Sequence, residues 1–392
     1  MRFLVYFAVL LLALAGSARI GLFSLNRLVF GQQHDSDRMK WLLRLIPLAL
    51  IGLMALWIPL YFRIENGEES RWGVAGGIWM AFSLLIGIYW IAERAWKHRH
   101  PRIVAGVHTH EPQIIKLRKA HIPYQFLRRL GAHNDIYDLE ITSHDVFVHD
   151  LPPAFEGYRV AFMTDTHVAS FMRRGFYREA VNQINARNVD LVLFGGDFVS
   201  WQRHIPLMSE LLITGLESKD GMFAVLGNHD YWAGADEIIA ALTAKGVRFV
   251  VNRSIPISRD GQFIRLVGID EIYRGEPDLD AAYEHVDAGN VVLALSHHPD
   301  IITTMRGRRA DLMLCGHTHG GQIRLPFFGA IVVPSKHEGR YAAGFFRQDR
   351  VLMYVSRGLG AIPPIRILCR PEVPIFTLRS ALPQGEAVAV YE

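Results

Sequence analysis

The sequence is poor in cysteine: its 392 residues include only Cys315 and Cys369. Two cysteines cannot build the disulfide framework of a small secreted domain, and their scarcity fits a reducing compartment. The chain also lacks tandem repeats and low-complexity tracts, so it is not a repeat array or a compositionally biased segment. A formal net charge of +4 is a small excess that does not require a nucleic-acid partner.

Apolar residues, by contrast, make up 50% of the chain. Three apolar stretches lie within the first hundred residues, at 3–18, 45–62 and 74–92. A helix needs about 20 apolar residues to cross a bilayer, and the second and third stretches are predicted to do so. The first follows Arg2 and ends in Ala-Gly-Ser-Ala, so it is either a further span or a cleaved signal peptide.

Basic residues indicate how these spans are oriented. They cluster between the first and second stretches and again after the third: Arg19, Arg27, Arg38, Lys40, Arg94, Lys97, Arg99 and Arg102. The positive-inside rule places both clusters in the cytoplasm. This predicts a multi-pass protein of the inner (plasma) membrane with a cytoplasmic large domain; a cleaved first stretch would place that domain on the opposite side. None of the stretches contains an acidic residue, which argues against an ion pathway.

Composition divides the whole chain into four parts. Residues 1–99 form a membrane region with two or three helices, and residues 100–136 form a basic linker. The linker is either an interfacial helix beside anionic head groups or a solvated connector. Residues 137–380 form the large domain, and residues 381–392 form a tail.

Five predicted strands of the large domain end in side chains that can bind metal ions. The segments at these ends are Asp165-Thr166-His167, Gly195-Gly196-Asp197, Gly227-Asn228-His229-Asp230, His297-His298 and Gly316-His317-Thr318-His319. Strands that alternate with helices predict an α/β domain, and such sheets collect functional groups at the carboxyl ends of their strands. One polar strand end is commonly a cap or a satisfied core group, but five together predict a metal centre.

In this order the motifs D-x-H, GGD, GNHD, a histidine after a strand, and GHTH resemble those of the calcineurin-like metallophosphoesterases. The resemblance covers about residues 137–378, and the strings GHTHGGQIRLPFFG and YVSRGLGAIPPIRILCRPEVPIFTL are similar to the bacterial membrane-attached branch. That branch includes phosphodiesterases acting on nucleotide-linked lipid precursors. The resemblance implies an α/β fold of four αββα layers, two mixed sheets face to face with helices outside, preceded here by the transmembrane α-helices.

The same resemblance implies two metal sites. Each ion would be held by three residues, with one carboxylate bridging both: Asp165, His167 and His319 for the first, Asn228, His297 and His317 for the second, and Asp197 as the bridge. His297 is preferred to His298 because family members place this ligand two residues before a proline, here Pro299; His298 is the alternative.

Such a centre suits the hydrolysis of a phosphodiester, an anion that repels hydroxide. Two divalent ions about 3.5–4 Å apart bind the phosphoryl oxygens and lower the pKa of a bridging water, and this mixture of ligands favours Mn²⁺, Fe or Zn²⁺. The resemblance implies that His229 faces the leaving group and donates a proton to it, with Asp165 orienting or charging it. Arg324, Arg357 and Arg366 are candidate phosphate or substrate contacts. For Arg357 and Arg366 the alternative, an ordinary surface ion pair, is favoured.

These patterns predict a membrane-anchored, binuclear-metal phosphoesterase that hydrolyses phosphodiester or pyrophosphate bonds with a metal-bridged hydroxide. A lipid-linked substrate such as UDP-2,3-diacylglucosamine would explain the membrane anchor. The alternative is a catalytically silent metal-binding scaffold or sensor at the membrane. A missing ligand would favour the alternative, and all seven implied ligands are present.

Overall fold

The computed structural model describes residues 81–86, 88–89, 102–117, 133–170, 172–325, 329–330, 332–380 and 389–390. The first two predicted membrane spans lie outside these residues, and only the helical pieces 81–86 and 88–89 of the third lie within them. In the ranges that the structure describes, no helix combines the length and the apolar character needed to cross a bilayer.

The large domain is built from short strands and helices. In chain order the described strands are β1 Arg102–Ile103, β2 Val107–Thr109, β3 Gln113–Lys116, β4 Asp138–Phe147, β5 Arg159–Met163, β6 Leu191–Phe194, β7 Met222–Ala224, β8 Val247–Phe249, β9 Arg253–Arg259, β10 Gln262–Ile269, β11 Val292–Ser296, β12 Ala310–Cys315, β13 Arg324–Leu325, β14 Gly329–Ala330, β15 Gly344–Gln348, β16 Val351–Val355, β17 Glu372–Arg379 and β18 Ala389–Val390. The described α-helices of this domain are α1 Arg174–Asn185, α2 Ile205–Leu212, α3 Asn228–Ala233, α4 Ala235–Thr243 and α5 Leu279–Tyr283.

The longer strands form two sheets. The first has the order β2-β4-β17-β5-β6-β7-β8, with β3 also paired to β4, and the second has the order β15-β16-β12-β11-β10-β9. Strands β5 to β8 run parallel to one another, as do β10, β11, β12 and β16. Because parallel strands end on the same side, each sheet carries several carboxyl ends along one edge.

The two sheets pack face to face around an apolar core. Side chains alternate along each strand, so Phe162 of β5 joins Leu293 and Leu314 between the sheets, whereas Met163 packs with the helices outside. A third apolar cluster covers the outer face of the second sheet, where α5 and the 3₁₀ turn Pro299–Thr303 lie. The resulting layers, helix, sheet, sheet and helix, confirm the predicted αββα sandwich.

Helix α1 illustrates why these segments are helical. Phe176, Ala180 and Ile184 recur every four residues and are buried against the first sheet. Arg174 and Arg178 lie on the opposite side with exposed side chains. This spacing produces one apolar and one polar face in a helix, which it would not do in a strand.

Strand β4 is longer than the sequence pattern indicates. Its polar run at residues 142–145 suggests a break between two short strands, but the structure has one strand of ten residues. The strand continues because it pairs with β17 from Glu140 onward. In addition, His144 is buried, and its ring contacts those of Phe345, Tyr354 and Phe376.

Part of the predicted basic linker also belongs to the first sheet. Strands β2 and β3 lie within residues 100–136 and pair antiparallel with β4. Similarly, β18 of the predicted tail pairs with β1. The globular domain therefore begins earlier in the chain than residue 137, while residues 118–132 lie outside the described ranges.

Candidate metal centre

The seven candidate ligands meet where the parallel strand ends lie. They come from five separate segments, and all are buried except the half-buried His317. These ligands form two groups, and within each group the metal-binding atoms lie within 4.8 Å of one another. Asp197 belongs to both groups.

The first group surrounds Asp165, His167 and His319. The Nε2 atoms of His167 and His319 lie 3.1 Å apart, and His319 Nε2 lies 3.4 Å from Asp165 Oδ1. Asp197 Oδ2 completes this group at 3.5 Å from His167 Nε2. Two carboxylates and two imidazoles therefore converge on one point, which is a donor set that suits a divalent transition metal.

The second group surrounds His297. Its Nε2 atom lies 3.1 Å from His317 Nδ1, 3.3 Å from Asn228 Oδ1 and 3.4 Å from Asp197 Oδ2. His298 faces elsewhere: its Nδ1 accepts a hydrogen bond from the Asp300 N–H at 3.1 Å. This geometry favours His297 over His298 as the candidate ligand.

Contacts outside the groups orient the ligand side chains. His167 Nδ1 lies 2.8 Å from Ser200 Oγ, and His297 Nδ1 lies 2.7 Å from the Gly195 carbonyl oxygen. Each contact leaves Nε2 free to face the centre. The sequence did not single out Ser200 or Gly195 for this role, because such partners become apparent only once the loops are folded together.

Burial and neighbouring charges set the protonation of the cluster. Burial lowers the pKa of His167 to about 3, and it lowers the pKa values of His317 and His319 well below the ordinary range, so these imidazoles are neutral. Burial would raise the pKa of Asp197, but the positive charge of His297 and its hydrogen bond hold that pKa well below the usual value. Burial would lower the pKa of His297, but the negative charge of Asp197 raises it to about 10. A metal ion would therefore have to displace a proton there.

Five of the seven candidate ligands have a backbone conformation that residues other than glycine rarely adopt. Their φ angles lie between +42° and +70°: Asp165, His167, Asp197, His317 and His319. Each such residue costs on the order of 1–3 kcal/mol and persists only where the surrounding structure holds it. This concentration of strained backbone is typical of functional sites.

Two of the ligand-bearing loops touch through their backbones. A Cβ atom on Gly196 would lie 2.4 Å from Gly227 N, so only glycine permits this approach. Asp230 fastens the same loops, because its carboxylate accepts hydrogen bonds from the N–H groups of Asp197, Phe198 and Gly227 at 2.8, 2.9 and 2.9 Å. The sequence contained this residue in the GNHD motif but did not indicate its three partners.

His229 lies beside both groups without joining either. Its backbone N–H donates to Asp197 Oδ1 at 2.8 Å, and its ring centre lies 4.7 Å from that of His167. The ring is half-buried, and burial lowers its pKa in spite of the opposing negative charge of Asp197. The side chain therefore lies at the edge of the two groups and belongs to neither.

The three arginines singled out in the sequence have different surroundings. Arg324 donates to the Gly320 carbonyl oxygen at 3.2 Å, directly after the metal loop. Arg357 forms ion pairs, as predicted, but with the buried Glu140 and Glu372 rather than at the surface. The prediction for Arg366 is wrong, because this residue is fully buried and its guanidinium donates to five backbone carbonyl groups.

Comparisons with known proteins place this centre in a family. A family model described as calcineurin-like phosphoesterase matches residues 158–321. The chain is 30% identical over 267 residues to the uncharacterized metallophosphoesterase YkuE of Bacillus subtilis, covering 66% of this chain and 90% of that protein. It is 31% identical over 225 residues to the phosphodiesterase YaeI of Escherichia coli, covering 56% and 82% respectively.

A further relative is a protein of Bos taurus named transmembrane protein with metallophosphoesterase domain. It is 26% identical over 269 residues, covering 64% of this chain and 60% of that protein. The range matched by the family model contains all seven candidate ligands. The chain therefore belongs to the calcineurin-like phosphoesterases and is a metal-dependent hydrolase of phosphoric esters.

Proposed function

We propose that this chain is a phosphodiesterase that uses two divalent ions, one bound by each group of ligands. The observation that carries the proposal is the position of Asp197, whose Oδ2 atom lies 3.5 Å from His167 Nε2 and 3.4 Å from His297 Nε2. One carboxylate oxygen thus faces both groups, as a bridging ligand must. When bound, the ions would draw charge from the phosphoryl oxygens and lower the pKa of a shared water.

The ligand assignment follows the two groups. Asp197 would serve both ions, with Asp165, His167 and His319 on the first and Asn228, His297 and His317 on the second. Imidazole, amide and carboxylate donors together favour Mn²⁺, Fe or Zn²⁺ over Mg²⁺ or Ca²⁺.

His229 is proposed as the acid that protonates the leaving oxygen. Its backbone is tied to Asp197, which holds the ring at the edge of the centre. Asp165 is itself held in place, because it accepts hydrogen bonds from Thr164 Oγ1 at 2.8 Å and from the His317 N–H at 2.9 Å. It would orient the reacting groups. Arg324 would contact the substrate from the end of the metal loop, where it donates to the Gly320 carbonyl oxygen.

Removal of divalent metal is expected to abolish hydrolysis of bis-p-nitrophenyl phosphate by the full chain, and Mn²⁺ is expected to restore it. The reason is that the described centre offers no other electrophile for a phosphodiester anion. Initial rates should be measured after chelation and then with Mn²⁺, Zn²⁺ or Fe²⁺ added stepwise, alongside metal content per chain. Activity that survived complete metal removal would contradict the proposal, whereas a folded chain that binds metal but has no activity would favour the scaffold alternative.

We also propose that the enzyme is a multi-pass protein of the inner membrane, with a cytoplasmic catalytic domain. Support comes from the described part of the third apolar stretch, where Leu85, Ile88 and Tyr89 are 65%, 48% and 68% exposed, and from the bovine relative, which is named a transmembrane protein. Anchoring of this kind would confine the enzyme to a lipid-linked substrate, with the pyrophosphate of UDP-2,3-diacylglucosamine as the specific candidate.

The membrane proposal predicts that the full chain stays in the membrane fraction after alkaline carbonate extraction. Apolar spans keep their contacts with lipid at high pH, whereas a protein held by surface charge is released. The distribution should be followed by immunoblotting, with protease added to spheroplasts to determine the side that the domain faces. Complete release by carbonate would contradict the anchor.

A further inference from the structure

A separate cluster of histidine and aspartate side chains lies outside the metal centre. We call it the edge cluster; it consists of His108, His110 and Asp145, whose possible ligand atoms lie within 4.8 Å of one another. His108 is in β2, the strand at the end of the first sheet, and it lies directly opposite Asp145 of β4. None of the seven candidate ligands of the metal centre belongs to the edge cluster.

Strand pairing directs the three side chains of the edge cluster to one place. The His110 N–H donates to the Ser143 carbonyl oxygen at 2.9 Å, which prolongs the pairing of β2 with β4. Residues two apart in extended backbone project from the same face, and the ring centres of His108 and His110 lie 4.6 Å apart. Asp145 Oδ2 lies 2.9 Å from His110 Nε2 and 4.0 Å from His108 Nδ1. One carboxylate oxygen therefore faces both rings.

The spacing of these atoms suits a transition-metal ion. Zn²⁺ binds imidazole nitrogen and carboxylate oxygen at about 2.0–2.2 Å, which places tetrahedral ligand atoms roughly 3.4 Å apart. The two distances from Asp145 Oδ2 lie on either side of that value. The side chains of His108 and His110 are 37% and 46% exposed, so an ion can enter from solvent and keep water as its fourth ligand. Two imidazoles and one carboxylate favour Zn²⁺ and similar ions over Mg²⁺.

The charges beside the edge cluster are compatible with a cation. Arg379 Nε donates to Asp145 Oδ1 at 3.2 Å, and this contact fixes the carboxylate while leaving Oδ2 to face the histidines. Arg379 is itself paired with Glu156 at 3.4 Å, which offsets its positive charge. Within the described part of the chain, the ring of His108 has no hydrogen bond, so both of its nitrogens remain available.

We infer that the edge cluster binds one divalent transition ion, of which Zn²⁺ is the type, and that this ion ties β2 to β4. Strand β2 belongs to residues 100–136, which follow the predicted membrane region, and three pairs of residues hold it to β4. A short strand at the end of a sheet opens easily. An ion that bridges His108 and Asp145 therefore clamps the segment nearest the membrane onto the domain. This site is independent of the proposed function.

The first test is a calorimetric titration of the chelator-treated full chain with Zn²⁺, in detergent, without a histidine tag and with excess Mg²⁺. The wild type is expected to bind one more Zn²⁺ per chain than the double variant His108→Ala/His110→Ala. Each single variant should bind that ion at least tenfold more weakly, since losing even an outer partner of a ligand commonly costs about 10–100-fold in affinity. The matched control is His133→Ala, which removes the imidazole from the group His133, Asp135 and Asp138 and should leave the extra ion in place.

Amide hydrogen exchange gives a readout that does not involve catalysis. Zn²⁺ should slow exchange at residues 107–110 roughly tenfold in the wild type and leave it unchanged in the double variant, because the ion holds β2 closed. Exchange in β5 and β6 should be the same in every variant, which establishes that each is folded. Equal Zn²⁺ binding by the wild type and the double variant would overturn the inference, and so would loss of the extra ion in His133→Ala. Binding without slower exchange would contradict the clamp.

Discussion

Replacing Asp197 by alanine is expected to reduce metal-dependent hydrolysis roughly 10⁴-fold, a loss of about 5 kcal/mol of transition-state stabilisation. One oxygen of this side chain faces both groups of ligands, so its removal weakens both metal sites at once. The other oxygen accepts a hydrogen bond from the His229 N–H, so the proton donor also loses its support. The measurement is kcat/KM for bis-p-nitrophenyl phosphate with Mn²⁺, together with metal content per chain.

Two further variants separate this effect from a loss of folding. Asp197→Asn keeps the size of the side chain and one acceptor oxygen, but its second position is an amide nitrogen that cannot bind a cation, so it should be as inactive as Asp197→Ala. Asp236→Asn removes an exposed carboxylate from α4 and should retain wild-type activity. An Asp197→Asn enzyme with near-normal activity and two ions per chain would exclude the bridging role.

Replacing His229 by alanine is expected to reduce turnover by about 10²–10⁴-fold, the usual contribution of a general acid. Metal content should stay close to that of the wild type, because the side chain joins neither group of ligands. The backbone N–H that donates to Asp197 also survives this substitution. Turnover and metal content should be measured on the same preparation, and a parallel loss of metal would rule out the acid role.

The choice of leaving group sharpens this test. p-Nitrophenolate departs with little need for a proton, whereas the alkoxide of a dialkyl phosphodiester such as glycerophosphoethanolamine needs one. The loss in His229→Ala should therefore be larger for the dialkyl ester. An equal loss on both substrates would mean that His229 positions the substrate instead of protonating it.

The sequence could predict that metal-binding side chains meet at one edge, because the segments that carry them are local, whereas their division between two ions came from the family resemblance. Asp165, Asp197 and His317 each follow a buried apolar strand within a few residues, and parallel strands bring such ends to one edge. Fold class follows from the same alternation of strands and helices. What the pattern could not provide was the distance between loops, which depends on the contact between Gly196 and Gly227.

Other features could not be predicted because they depend on partners far away in the chain. Arg366 looks like a surface cation in the sequence, yet the fold encloses it among backbone carbonyl groups that no side-chain pattern encodes. Residues 142–145 look like a loop because they are polar, but pairing with β17 keeps them in a strand. His144 thereby lines a cavity whose walls include residues from both sheets.

The left-handed backbone at five candidate ligands has a consequence for how this chain can change over generations. Glycine adopts φ angles such as the +54° of Asp197 or the +70° of His317 without the steric penalty of other residues. A population selected only for heat resistance should therefore accumulate glycine at these positions and gain stability as it loses catalysis. Aspartate and histidine are kept at these positions only under continuous selection for activity. In heat-resistant but inactive descendants, the positions that change to glycine should therefore be those of the metal centre.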